Sequence, residues 1–419
     1  MPTSAAIPTT DRRSSTGQGT NAERVGVEFI ALLGLMMGIT ALSVDIMLPA
    51  LPQIEEHYKL DNINDQQLVI VSYMLGFGLG QLIFGPFSDR FGRKPVLFFG
   101  MSIYMGATIA AVTAVNFELH LIGRLIQGAA GGAGRVIAVA IVRDRFAGRA
   151  MARVMSFVMM IFIMIPVVAP AIGAGLLLFG PWQWTFWFLL GVAVILVVWM
   201  SFRLVETRPE EKRTALTFGT LRSAAAATVT NRQTLCYMVT VGLTLAPLLA
   251  YIATSQQIFV GLYRIDAWFP VAFGGVALCT IAASLTNARL VQTQGMRRMS
   301  HGAILALLIL ALLLSVTAVF DQPPLFLLLA FLGASFFAVS LCFPNFNALA
   351  MEPHGAIVGT ASSIVGFTST VIGSLIGWAI GMAYDGTVLP LTLGFAACAA
   401  GSIITILLAE PNRFMKKTV

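Results

Sequence analysis

The stretch Gly85-Pro86-Phe87-Ser88-Asp89-Arg90-Phe91-Gly92-Arg93-Lys94-Pro95 decides how the chain is read. It is a charged turn between two apolar runs, approximately 67–87 and 95–115, each near the ~20 residues that cross a bilayer. Gly85 permits close approach of a neighbouring helix, and Gly92 permits a tight turn. Asp89 is placed to cap or face a positive helix N-terminus, while Arg90 and Arg93 offer charge-assisted partners. The plainer alternative is a basic anchor that only sets orientation.

Outward from this turn the pattern repeats. With 57% hydrophobic and 11% charged residues over 419 positions, the chain is a polytopic α-helical membrane protein, because spanning helices satisfy their backbone groups internally. Twelve spans are expected. The first six are approximately 27–51, 67–87, 95–115, 117–141, 154–178 and 184–204. The second six are approximately 233–255, 267–288, 301–320, 323–346, 355–382 and 387–409. Of the 26 Lys and Arg, only Lys59 and Arg264 fall in one set of loops, and Arg124 and Arg135 fall inside a span; the others lie in the opposite set of loops and at the chain ends. The bias predicts cytoplasmic termini and accounts for the +7 charge without a nucleic-acid partner. Residues 1–24 read as a disordered cytoplasmic tail, 25–204 as a first six-helix bundle and 205–232 as a solvated cytoplasmic linker with some surface helix. Residues 233–409 read as a second bundle and 410–419 as a cytoplasmic tail. Two six-helix halves around a cavity is a transporter plan.

Charges inside the spans are the candidates for chemistry. Asp45 is the only acid between Glu28 and Glu55. Gly34, Gly38 and Ala41 share its helical face, and small residues mark packed faces of membrane helices. Asp45 is therefore a candidate proton carrier facing the interior; the alternative is a carboxylate snorkelling to the nearby interface. Arg124 lies at comparable depth, and an Asp–Arg pair that forms and separates would govern where a proton sits. Arg135 is three turns further along the same helix. It either snorkels to the inner surface or lines the cavity and meets an electronegative group of the substrate. Pro166, Pro170 and Gly173 predict a bend and a close approach in the fifth span. Met155, Met159, Met160 and Met164 form a stripe read as packing or as an adaptable apolar wall.

Several of these stretches resemble a known family. The turn matches G-x-x-x-D-R-x-G-R-[KR] of the major facilitator superfamily, and Arg124-Leu125-Ile126-Gln127-Gly128 matches its R-x-x-Q-G. Pro166-Val167-Val168-Ala169-Pro170-Ala171-Ile172-Gly173 resembles the P-x-x-x-P-x-x-G of its drug antiporters. Ser43 to Pro52, Ala140-Ile141-Val142-Arg143-Asp144 and Gly359-Thr360-Ala361-Ser362-Ser363 with Asp385-Gly386-Thr387 narrow the resemblance to bicyclomycin/chloramphenicol-resistance (Bcr/CflA-type) drug:proton antiporters. The likeness spans about 27–409. It departs at Met47, where members often carry an aromatic, and at Val139, where they often carry Arg. The resemblance implies an all-α fold of two pseudo-symmetric six-helix bundles. It implies a conformational latch at Gly85, Asp89, Arg90, Gly92 and Arg93, with proton coupling at Asp45 and Arg124. It also implies a bacterial inner-membrane monomer among lipids, using the proton gradient, without a cofactor, to export small molecules.

Candidate substrate contacts are Arg135, Tyr73, Met159, Tyr251, Gln256 and Asn345; the polar ones among them could equally satisfy interhelical hydrogen bonds. Cys236, Cys279, Cys342 and Cys398 sit in different spans, and His57, His120, His301 and His354 form no metal or nucleophile–base pattern, so neither an enzyme nor a metal site is expected. The expected function is proton-coupled export of small, largely apolar compounds. The alternatives are export of anionic or siderophore-like compounds, and a membrane sensor or scaffold that transports nothing.

Overall fold

The computed structural model describes residues 26–213, 218–354 and 358–416. The expected tail 1–24 and residues 417–419 lie outside the described residues. The helices run α1 Val27–Asp45, α2 Leu51–Tyr58, α3 Leu68–Phe91, α4 Arg93–Val112, α5 Phe117–Arg145, α6 Gly148–Leu177 and α7 Gln183–Arg203. They continue as α8 Phe218–Thr230, α9 Arg232–Gln256, α10 Phe269–Gln294, α11 Met296–Phe320, α12 Leu325–Met351, α13 Val358–Met382 and α14 Leu389–Ala409. Among the described residues twelve helical segments are long and apolar enough to cross a membrane, each overlapping an expected span.

The first span is not the continuous helix expected over 27–51. It stops at Asp45, makes a 3-10 turn at Leu48–Ala50 and resumes as α2. Pro49 and Pro52 lack the N–H groups that would bond back to Asp45 and Leu48, so the ladder breaks there. The Ile46 N–H still donates to Leu42 O, but the Met47 N–H turns to Val44 O. The break thus turns a backbone donor away from the Ser43 carbonyl.

In the first bundle α3 and α4 pack on α5, and α1 packs on α6; in the second, α13, α14 and α12 pack on α9. Two seams join the halves, α3 against α13 and α6 against α10. The fit of α3 to α5 depends on glycine: a Cβ at Gly128 would run into the Tyr73 backbone carbonyl. This is the close small-residue approach by which membrane helices associate. One face of the molecule carries the Arg-rich loops and the described C-terminal residues, and is called the basic face below. On the opposite face lie α2, the 63–67 turn and the ends of α9 and α13.

Candidate functional site

A buried polar web fills the first bundle between α1, α3, α4 and α5. Arg124 is fully buried. Its Nε donates to Val69 O at 3.1 Å, Nη1 to Gln127 Oε1 at 2.6 Å, and Nη2 to the Ser43 carbonyl at 3.1 Å. The guanidinium lies 4.5 Å from the Tyr73 ring centroid and 5.8 Å from that of Phe186, as cation–π contacts do. Gln127 donates to Thr108, and Ser43 shares a 2.6 Å hydrogen bond with Tyr104. The spacing in R-x-x-Q-G has a local reason, since residues three apart share a helix face and Gln127 can reach Arg124. Sequence reasoning missed Ser43, Tyr104 and Thr108. Their only signal is a hydroxyl in an apolar run.

The expected Asp45–Arg124 pair is not formed in this conformation. Backbone carbonyls and Gln127 occupy the guanidinium, and the freed Ser43 carbonyl takes the place foreseen for the carboxylate. Asp45 is 3% exposed, and its Oδ1 has no hydrogen-bond partner among the described residues. It lies within electrostatic reach of Tyr251 in the other half. The Tyr251 hydroxyl is likewise buried and unpartnered among the described residues. Its ring stacks on Phe273 at 5.3 Å and tilts against Phe336 at 4.9 Å. Asp45 does not snorkel; it sits where the two halves meet.

Arg135 projects from α5 between Phe77 of α3, 5.6 Å from its guanidinium, and Phe162 of α6, at 5.8 Å. It is half-buried. Met159 is half-buried one turn before Phe162. Tyr73 is fully enclosed beneath Arg124 rather than on an open surface. Gln256 is buried at the end of α9. Asn345 donates to Asn287 Oδ1 of α10 and to Leu341 O, an interhelical role rather than an open contact. Helix α6 runs unbroken through Pro166 and Pro170. A Cβ at Gly173 would meet Ile46 O, so this glycine seats α6 against the break after Asp45.

On the opposite face the halves are sealed by carboxamides. Gln67 Nε2 donates to Gln257 Oε1 at 2.8 Å and to Gly381 O at 3.1 Å. Gln257 Nε2 donates to Asn64 Oδ1 at 2.8 Å. Asn64 Nδ2 donates to the carbonyls of Met382 and Tyr384. Further along the α3–α13 seam Gln81 donates to Thr370, and in the α6–α10 seam Gly274 lies against Val167.

On the basic face the quoted turn is built differently from expectation. Asp89 does not cap α4. The Glu206 carboxylate does, accepting from the Arg93 and Lys94 N–H groups at 3.0 Å each. Asp89 instead pairs with Arg93 at 2.8 Å and Arg208 at 3.5 Å, and Arg93 also reaches Asp144 at 2.9 Å. Arg90 stays outside this knot, over Phe91. Gly92 has φ +97°, and a Cβ there would press on the Glu206 carboxylate. The linker is therefore docked at Glu206 and Arg208 rather than solvated throughout; the expected surface helix is α8. The second bundle has a matching knot. Arg297 holds Glu410 through Nε and Nη2, both at 2.7 Å, and Glu352 at 2.7 Å. Burial opposes the charge on Glu410, but the hydrogen bonds and charge of Arg297, with the Tyr237 hydroxyl, hold its carboxyl below the usual range. The expected tail is docked too: Phe414 stacks on His301, and the Met415 N–H donates to that ring.

Two six-helix bundles meeting along paired seams, with a charged turn bracing one face of each, define a membrane transporter of the two-bundle class. The family model described as Major Facilitator Superfamily matches residues 33–378, and the chain belongs to that superfamily. It is 28% identical to an uncharacterized MFS-type transporter, YdgK, of Bacillus subtilis, over 92% of this chain and 95% of that one. It is 27% identical to a bicyclomycin resistance protein homolog of Haemophilus influenzae, over 92% and 96%. Against multidrug resistance protein D of Escherichia coli the identity is 26%, over 81% and 85%. The resemblance to the bicyclomycin/chloramphenicol-resistance group is thus borne out. Among solved structures, a D-xylose-proton symporter superposes with TM-score 0.74 at 13% identity, over 93% of this chain and 99% of that one. The human organic anion transporter MFSD10 superposes with TM-score 0.68 at 17% identity, over 91% and 99%, which likewise speaks to the fold alone.

Proposed function

We propose that the protein is a proton-coupled antiporter that exports small, largely apolar, drug-like compounds across a bacterial inner membrane by alternating access. The basic face is cytoplasmic, and the proton gradient is the energy source. The observation that carries this reading is Asp45, a buried carboxyl between the halves whose Oδ1 has no partner among the described residues. A charge there without a counter-ion is costly, whereas a proton removes that cost. Proton and substrate then bias one two-state equilibrium in opposite directions. The drug-resistance names of the Haemophilus and Escherichia relatives support the cargo class. The sealed opposite face supports a conformation that receives cargo from the basic side.

The test is flux in proteoliposomes with an imposed pH gradient, against a panel of neutral, cationic and anionic drug-sized compounds. Asp45→Asn should insert and fold as the parent does but lose gradient-driven accumulation. Uphill export at the parental rate by that variant would remove Asp45 as the carrier. Failure of the parent to move any compound would favour the sensor reading.

A further inference from the structure

The cation at Arg135 has not been given a counter-charge by the fold. Among the described residues it makes no ion pair and no hydrogen bond; what it touches are the faces of Phe77 and Phe162. Those rings come from α3 and α6, the first-bundle helices that form the two seams with the second bundle. Arg135 therefore lies between two helices that each meet the second bundle, with aromatic rings on either side of its guanidinium. Asp45 does not serve it. Gly134, beside Arg135, packs on the carbonyl of Met36, which lies about two and a half turns before Asp45 along α1. A half-buried cation flanked by aromatic rings favours an anion, and a guanidinium suits a planar carboxylate or its equivalent. The surroundings add an apolar requirement, because Met155, Met159 and Phe162 recur on one face of α6.

We propose that Arg135, Phe77 and Phe162 form a binding site for amphipathic monoanions, compounds with a flat apolar body and one carboxylate or similar group. The proposal deepens the export reading and rests on it for the direction of transport, but not for binding.

The experiment measures equilibrium binding of three matched probes to the purified full-length protein in nanodiscs, without any gradient. The probes are 2-naphthoate, 2-naphthamide and 2-naphthylmethylammonium, tested on the parent, Arg135→Gln and Arg135→Lys. The parent should bind naphthoate at least about tenfold more tightly than the amide, and more tightly still than the ammonium. Arg135→Gln should shrink the naphthoate preference to within about twofold, and Arg135→Lys should keep part of it. Should Arg135→Gln not yield folded protein, Phe162→Ala with the charge intact should weaken all three probes together. Equal binding of the probes by the parent, no binding of any up to millimolar concentration, or an unchanged preference in Arg135→Gln would each overturn the proposal. Naphthoate preference in nanodiscs without gradient-driven flux of the same purified protein in proteoliposomes would instead fault proton coupling and leave this site standing.

Discussion

Glu410→Gln isolates the knot that the second bundle forms on the basic face. Arg297 is 2% exposed and Glu410 8%. The substitution keeps the shape of the side chain but removes the charge that faces Arg297 through two 2.7 Å hydrogen bonds. Removing one member of a buried pair typically costs about 3–5 kcal/mol. Glu352 still reaches Nη2 at 2.7 Å, which points to the lower end, about 3 kcal/mol. For a cooperative unit the size of one bundle that corresponds to a fall of roughly 6–12 °C in the thermal midpoint. The double variant Arg297→Met with Glu410→Met removes both charges together, and it should lose less than Glu410→Gln alone.

The pH dependence follows from the lowered carboxyl of Glu410. Its folded value lies below the ordinary 4.5, so the ionised form is favoured by folding. The stabilisation is complete above that ordinary value and is lost as pH falls through the folded value. The gap between parent and Glu410→Gln should stay constant from about pH 8 to about pH 5.5 and close as the solution is acidified further. Thermal unfolding of the purified proteins across that range is the assay. Equal midpoints at neutral pH, or a gap that widens on acidification, would refute the reasoning. So would a double variant that loses as much as Glu410→Gln or more.

Two further substitutions probe the helix packing and the seal. Gly128→Ala should lower the folded yield and cost about 1–3 kcal/mol, because its Cβ meets the Tyr73 backbone rather than a movable side chain. Gly191→Ala in α7, where nothing lies within 4 Å, should be neutral or slightly stabilising, and comparable losses for the two in paired thermal melts would count against the packing argument. Gln257→Ala removes its hydrogen bonds with Gln67 and Asn64, a loss of about 1–2 kcal/mol from the closed seal. A cysteine in place of the buried Ser374, about two turns inside Gly381 on α13, should then react severalfold faster with a membrane-impermeant maleimide from the opposite face, in a background without the native cysteines; an unchanged rate would mean the carboxamides do not hold that face shut.

The spans were legible because apolar length and the placement of Lys and Arg are local properties. The carboxylates that brace the basic face were not, because each lies far along the chain from its partner. Glu206 caps α4 across 113 residues, and Glu410 meets Arg297 across the same 113. Asp144 and Glu352 fall at comparable intervals, 51 and 55 residues beyond their arginines. Composition gives no hint of this, and Glu206 alone reads as part of a solvated charge run. The repeated interval is nevertheless present in the sequence, as the trace of one bundle plan used twice. The same offset that carries Arg93 onto Arg297 carries Asp45, Arg124 and Arg135 onto Leu249, Leu328 and Val339, all buried and apolar. The braces are duplicated and the interior charges are not. The second bundle brings Tyr251 near Asp45 and Gln257 onto Gln67 and Asn64, residue types that do not distinguish a seam from ordinary helix packing. Those three interior charges belong to the first half, and the corresponding positions of the second half are filled by apolar side chains that pack. Tyr251 was legible as a polar group in an apolar span, but only the packing of the halves shows that it and Gln257 lie at the contact between them.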